Sequence, residues 1–72
     1  MMEKPSPAMH RALRQAQLYK YLLVRNDRIY RPGGSHPVCS LPTALEMVRS
    51  GWLTVRDGRY EITPDGLRAL DL

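Results

Sequence analysis

The chain predicts a small α+β domain, and three local patterns carry that expectation. Asp57-Gly58 lies between two runs of alternating polarity and is the pair that a type I′ hairpin turn prefers, because both central residues need positive φ. Ser6-Pro7 and Thr63-Pro64 each set a hydroxyl N-cap before a proline at the first helical position, which marks two helix starts. Ser40 precedes a third set of apolar residues at helical spacing.

The first helix is expected over residues 7 to 24. Met9, Ala12, Leu13, Ala16, Tyr19, Leu22 and Leu23 recur on one stripe, while His10, Arg11, Arg14, Gln17 and Lys20 fall mainly elsewhere. Leu18 and Tyr21 lie off that stripe and widen the apolar surface. A homodimer contact, a second packing partner or the terminal turns of this chain would each cover them. Asn26-Asp27 then ends the helix, and Arg28-Ile29-Tyr30-Arg31 alternates as a short strand expected to edge the hairpin. Residues 32 to 40, rich in Pro, Gly and Ser, read as a loop.

The second helix is expected over 41 to 50, with Leu41, Ala44, Leu45 and Val48 buried, Thr43, Glu46, Met47, Arg49 and Ser50 exposed, and Gly51 as the stop. The hairpin register pairs Leu53 with Ile62, Thr54 with Glu61, Val55 with Tyr60 and Arg56 with Arg59. Its core face is Leu53, Val55, Tyr60 and Ile62; the other face carries Thr54, Arg56, Arg59 and Glu61. The last helix, 64 to 70, docks Leu67 and Leu70. One core is expected from Leu13, Leu45, Val48, Leu53, Val55, Ile62 and Leu67, with no internal repeat along the chain.

Size and charge narrow the function. Seventy-two residues make a single domain, 1 to 72, with 1 to 5 the loosest part. A domain this small buries only ~60% of its unfolded surface, so no deep active-site cavity is expected. The lone Cys39 cannot form an internal disulfide, no apolar run approaches a bilayer span, and the start of the chain lacks a signal-peptide pattern, which together predict a cytoplasmic protein with no membrane partner. Eleven Lys plus Arg against seven acids give a net charge of +4. Nine of the eleven bases are Arg, whose planar fork suits phosphate. Strand 28 to 31 beside the hairpin would gather Arg28, Arg31, Arg56 and Arg59 into one patch.

Catalytic chemistry finds little support. His36 and Cys39 form an H-x-x-C pair, but a closed metal site wants four ligands and the only other imidazole is His10, so no metal, cofactor or enzymatic activity is expected. Gly33-Gly34-Ser35 lacks the spacing and the lysine of a phosphate-cradling loop. Asp57, Asp65 and Asp71 are explained by a turn, a cap and the chain end.

The run Ala44-Leu45-Glu46-Met47-Val48-Arg49-Ser50-Gly51-Trp52-Leu53, followed by Asp57-Gly58-Arg59-Tyr60-Glu61-Ile62-Thr63-Pro64-Asp65-Gly66, resembles the segment from recognition helix through wing in bacterial winged-helix proteins of the MarR-like kind. About residues 40 to 70 are covered. The resemblance implies a winged-helix-like domain in which Thr43, Glu46, Met47, Arg49 and Ser50 face bases in the major groove and Arg56 and Arg59 face the backbone. The helix that normally precedes the recognition helix is replaced by Pro32 to Cys39, so the helix-turn-helix is truncated. One reading is therefore a small bacterial or phage DNA-binding regulator of transcription or of a mobile element, contacting double-stranded DNA through Thr43, Arg49, Arg56, Arg59, Arg28 and Arg31. The other is a protein-interaction module that does not read DNA, with His36, Met47 and Trp52 meeting a protein partner. Trp52, at the start of a strand right after a helix, is read more readily as an edge residue of the core than as a partner anchor.

Overall fold

A computed structural model describes residues 4 to 71. Residues 1 to 3, part of the segment expected to be loose, lie outside the described residues. The fold is α+β: three helices and a five-stranded antiparallel sheet, an arrangement consistent with a small winged-helix-like domain. The elements run α1 (Pro7–Tyr19), β1 (Leu22–Arg25), β2 (Arg28–Tyr30), β3 (Cys39–Ser40), α2 (Leu41–Arg49), β4 (Leu53–Arg56), β5 (Arg59–Ile62) and α3 (Pro64–Ala69). The sheet order is β3-β2-β1-β5-β4.

All three expected N-caps form. The hydroxyls of Ser6, Ser40 and Thr63 accept from the backbone N–H of Met9, Thr43 and Gly66, each satisfying a donor that the first helical turn would otherwise leave orphaned. The β4–β5 register is the one expected, Leu53 opposite Ile62 through Arg56 opposite Arg59. Asp57 and Gly58 both take positive φ, +53° and +75°, as their turn type requires.

The largest departure lies between residues 20 and 31. The first helix stops at Tyr19 rather than continuing to 24, because Lys20 turns out of helical space at φ +80°. Leu22 to Arg25 then form the central strand of the sheet. A short apolar run such as Tyr21-Leu22-Leu23-Val24 fits a helical stripe and a buried strand equally well by spacing alone. What decides it is Asn26-Asp27. These residues do not cap a helix; both adopt positive φ, +48° and +63°, and close a second two-residue hairpin in which Arg25 faces Arg28.

The chain therefore carries one short turn motif twice. Val24-Arg25-Asn26-Asp27-Arg28 and Val55-Arg56-Asp57-Gly58-Arg59 build the same arginine-flanked turn twice. Strand β2 consequently pairs with β1 and β3, not with the C-terminal hairpin as expected, and β1 fills the place between. The segment 32 to 40 is also not loop throughout, since Cys39–Ser40 pairs with β2.

The three helices share one core against one face of the sheet. Leu22, Ile29, Leu53 and Tyr60 point into it from the strands, Ala12, Leu13 and Ala16 from α1, Ala44 and Met47 from α2, and Ala69 from α3. Three expected core residues lie outside it: Leu45 is 44% exposed, Val55 47% and Leu67 41%. Helix α2 turns Ala44 and Met47 inward, with Leu41 and Val48 packed beside them, and this rotation carries Leu45 out. Val55 keeps its place on the core face but lies toward the hairpin turn. Helix α3 buries its small residues, Gly66 and Ala69, which turns Leu67 outward and leaves Leu70 partly packed.

Candidate nucleic-acid interface

Strand register brings four arginines to one end of the sheet. Arg25 faces Arg28 across the first turn and Arg56 faces Arg59 across the second. Strand β1 runs antiparallel to β5 with Leu22 opposite Tyr60 and Leu23 opposite Arg59, so both turns project from the same end. Side chains alternate along each strand. Since Leu22, Ile29, Leu53 and Tyr60 face the helices, the four arginines share the opposite, helix-free face with Leu23 and Tyr30.

Like charges directly opposite each other destabilise a ladder. This sheet carries two such pairs side by side, and all four arginines are exposed. Arg56 is partly neutralised by Glu61, 3.3 Å away, an exposed pair worth only about 0.2–1 kcal/mol. Arg59 lies over the ring of Tyr21 at 4.5 Å and Arg25 over that of Tyr30 at 4.1 Å. Arg25 also donates to the Gly34 carbonyl at 3.1 Å. These contacts hold the guanidinium planes against the sheet without cancelling their charge. Among the described residues, Arg25, Arg28 and Arg59 have no carboxylate within ion-pair distance.

The patch differs by one member from the expected set. Arg25 belongs to it, whereas Arg31 does not. Arg31 follows β2 at the end away from the turn, lies over the Tyr19 ring at 4.9 Å and lines a cleft of about 550 Å³ between α1 and the 36–38 segment. That cleft also gathers His10, Arg11, Arg14 and His36. The sequence signal for Arg25 was the repeated arginine-turn-arginine motif.

The expected base-reading residues lie elsewhere. Helix α2 packs on the core side of the sheet, so Thr43 and Arg49 are on the far side of the strands from the arginine row. The Thr43 hydroxyl lies 3.0 Å from that of Ser40, inside the helix cap. Arg49 is exposed in the last turn, and Glu46 is exposed on the same helix. Met47, expected on the outer face, is fully buried, because it takes the inward position that Leu45 was assigned. Trp52 is buried as well, the core-edge outcome. A protein-interaction surface therefore keeps only His36, which is exposed, among its three expected contacts.

Cys39 is half-buried in β3, and burial pushes its thiol up to about 11 from an ordinary 9. At pH 8 this leaves roughly a hundredfold less thiolate than a free cysteine would have. Cys39 should thus react slowly with a thiol reagent in the native protein and at the ordinary rate in urea; equal rates would refute the burial. The sign for stability follows. Above pH 9 the unfolded thiol ionises first, so stability falls as pH rises from 9 toward 11. Among the described residues no three His, Cys, Asp or Glu side chains gather as a metal site, and no helix is long and apolar enough to cross a membrane. No protein-family model, curated protein or solved structure matches the chain.

Proposed function

We propose that the domain binds double-stranded DNA without catalysis, gripping the sugar-phosphate backbone through Arg25, Arg28, Arg56 and Arg59, and serves as a small regulator of transcription or of a mobile element. The observation that carries the reading is the convergence of two repelling arginine pairs on one end of one sheet face. Phosphates bound there relieve the repulsion, and each guanidinium offers a planar fork of donors to their oxygens. The net charge of +4 adds a long-range attraction for the same partner. The regulatory part rests on the resemblance of residues 40 to 70 to MarR-like winged-helix proteins.

The placement of α2 shapes the proposal. A duplex lying on the arginine row meets the sheet, while Thr43 and Arg49 are on the opposite side. Binding carried by phosphate contacts alone positions the protein but conveys little sequence information. The test is fluorescence anisotropy with unrelated duplexes across a salt series. Arg28→Ala and Arg59→Ala should each weaken every duplex by a similar factor and reduce the log-log salt slope by about 1. Arg49→Ala should leave both quantities near those of the parent. Duplex binding too weak to measure at about 50 mM salt, a condition that favours phosphate contacts, sinks the proposal.

A further inference from the structure

The helix-free face also carries a hollow beside the arginine row. It has a volume of about 510 Å³ and lies between strands β1 and β2 and the turn that follows them. Leu23 and Tyr30 are cross-strand neighbours that supply an apolar and aromatic floor. Arg25 and Arg31 line its sides, and Gly33, Gly34 and Ser35 form a wall. The volume falls within the range of small-ligand sites, about 300–1,000 Å³.

The wall is pinned in place. Gly34 donates its backbone N–H to the Arg31 carbonyl at 2.9 Å, and its own carbonyl accepts from Arg25 at 3.1 Å. A Cβ on Gly34 would stand 2.7 Å from Arg31 Cγ, so glycine permits this close approach. Gly33 holds φ at +75°. Arg25 is thus fixed twice, over the Tyr30 ring and on the loop, and its side chain lines the hollow.

Phosphate has no use for an aromatic and aliphatic floor, but the flat face of a base does. Bases stack on aromatic rings and on arginine planes, and their faces are free only where they are unpaired. We propose that this hollow seats an unpaired nucleotide, and that the open face of the sheet binds single-stranded nucleic acid, its bases lying against Tyr30, Leu23 and Arg25 and its phosphates running along Arg28 and Arg59. Tyr21 beneath Arg59 repeats the arginine-on-tyrosine pair one strand away and gives the neighbouring base a second surface. The inference rests on the nucleic-acid reading above and adds single strands to the duplexes that the same arginines grip.

The test uses the whole protein and labelled oligonucleotides of about ten residues at low salt: oligo-dT, oligo-U, a strand of the same length with abasic sites throughout, and a duplex. The abasic strand keeps the phosphates and removes the bases. Oligo-dT or oligo-U should bind about ten-fold or more tighter than the abasic strand. Tyr30→Ala should collapse that difference, lowering single-strand affinity far more than duplex affinity, and Tyr30→Phe should keep it. Equal affinity for base-bearing and abasic strands in the unmodified protein overturns the inference, and that comparison stands even where Tyr30→Ala fails to fold. Arginine-dependent duplex binding alongside such equality leaves the preceding proposal intact, whereas no binding to any of the four probes removes both.

Discussion

Gly66→Ala is expected to destabilise the domain by about 3 kcal/mol, at the upper end of what overpacking a core costs. The sign is the informative part, since alanine ordinarily improves a helix over glycine by about 1 kcal/mol. Here the helix has no room for a methyl group. A Cβ at Gly66 would drive into the Trp52 carbonyl oxygen and stand 2.7 Å from Ile62 Cγ1. The backbone cannot readily retreat, because Thr63 donates its N–H to that same carbonyl at 3.1 Å, and its hydroxyl both donates to Gly51 and accepts from Gly66. A domain of this length has roughly 4–11 kcal/mol of total stability, so the loss is a large share of it. Urea denaturation measures it, and a variant as stable as the parent or more so would show that α3 does not sit against Trp52 as described.

The second large effect concerns binding. Replacing Arg25, Arg28, Arg56 and Arg59 together by Gln should make the log-log salt dependence of duplex binding shallower by about 3 to 4, since each phosphate contact releases just under one counterion. For the parent, those contacts imply a loss of about a hundred-fold between 50 and 200 mM salt, and the variant should lose almost none of its residual affinity over the same range. The fold should survive, because the exchange removes two like-charged cross-strand pairs and touches no core residue. A variant with an unchanged melting temperature and an unchanged salt slope would place the phosphate contacts elsewhere, the cleft lined by Arg11, Arg14 and Arg31 being a second basic concavity.

Features set by neighbouring residues were legible in the chain. Ser6, Ser40 and Thr63 cap their helices through bonds to residues three positions on, and Asp57-Gly58 determines its own hairpin register. Residues whose meaning depended on tertiary context were less so. Leu22 and Leu23 fit a helix by spacing, and it is the Asn26-Asp27 hairpin, together with their pairing to Tyr60 and Arg59 far along the chain, that makes them a strand. The rotation of α2 was hidden because Leu45 and Met47 are both apolar and flank the stripe on opposite sides; the packed core chose Met47. Within the interface, Arg28, Arg56 and Arg59 could be named in advance. Arg25 was missed, because a helix expected to run to residue 24 hid the hairpin that Arg25 flanks, although the repeated arginine-turn-arginine motif carried the signal. The wall of the hollow needed a fold to bring Gly34 against Arg25.

The seam between β1 and β5 also sets an order of events in folding. Each hairpin joins neighbouring residues through a two-residue turn and can close within microseconds. Joining residue 22 to residue 60 instead requires the intervening chain, helix α2 included, to be gathered first, and that entropy is spent before any contact returns it. The two arginine-tipped hairpins are therefore expected to close first, each marginally stable alone, with their lateral union as the slow step that creates the continuous face. Until then no row of four arginines exists, and strand β1 stands with an unpaired edge. A polyanion should therefore stabilise the joined state and slow its unfolding, while leaving the early hairpins unaffected.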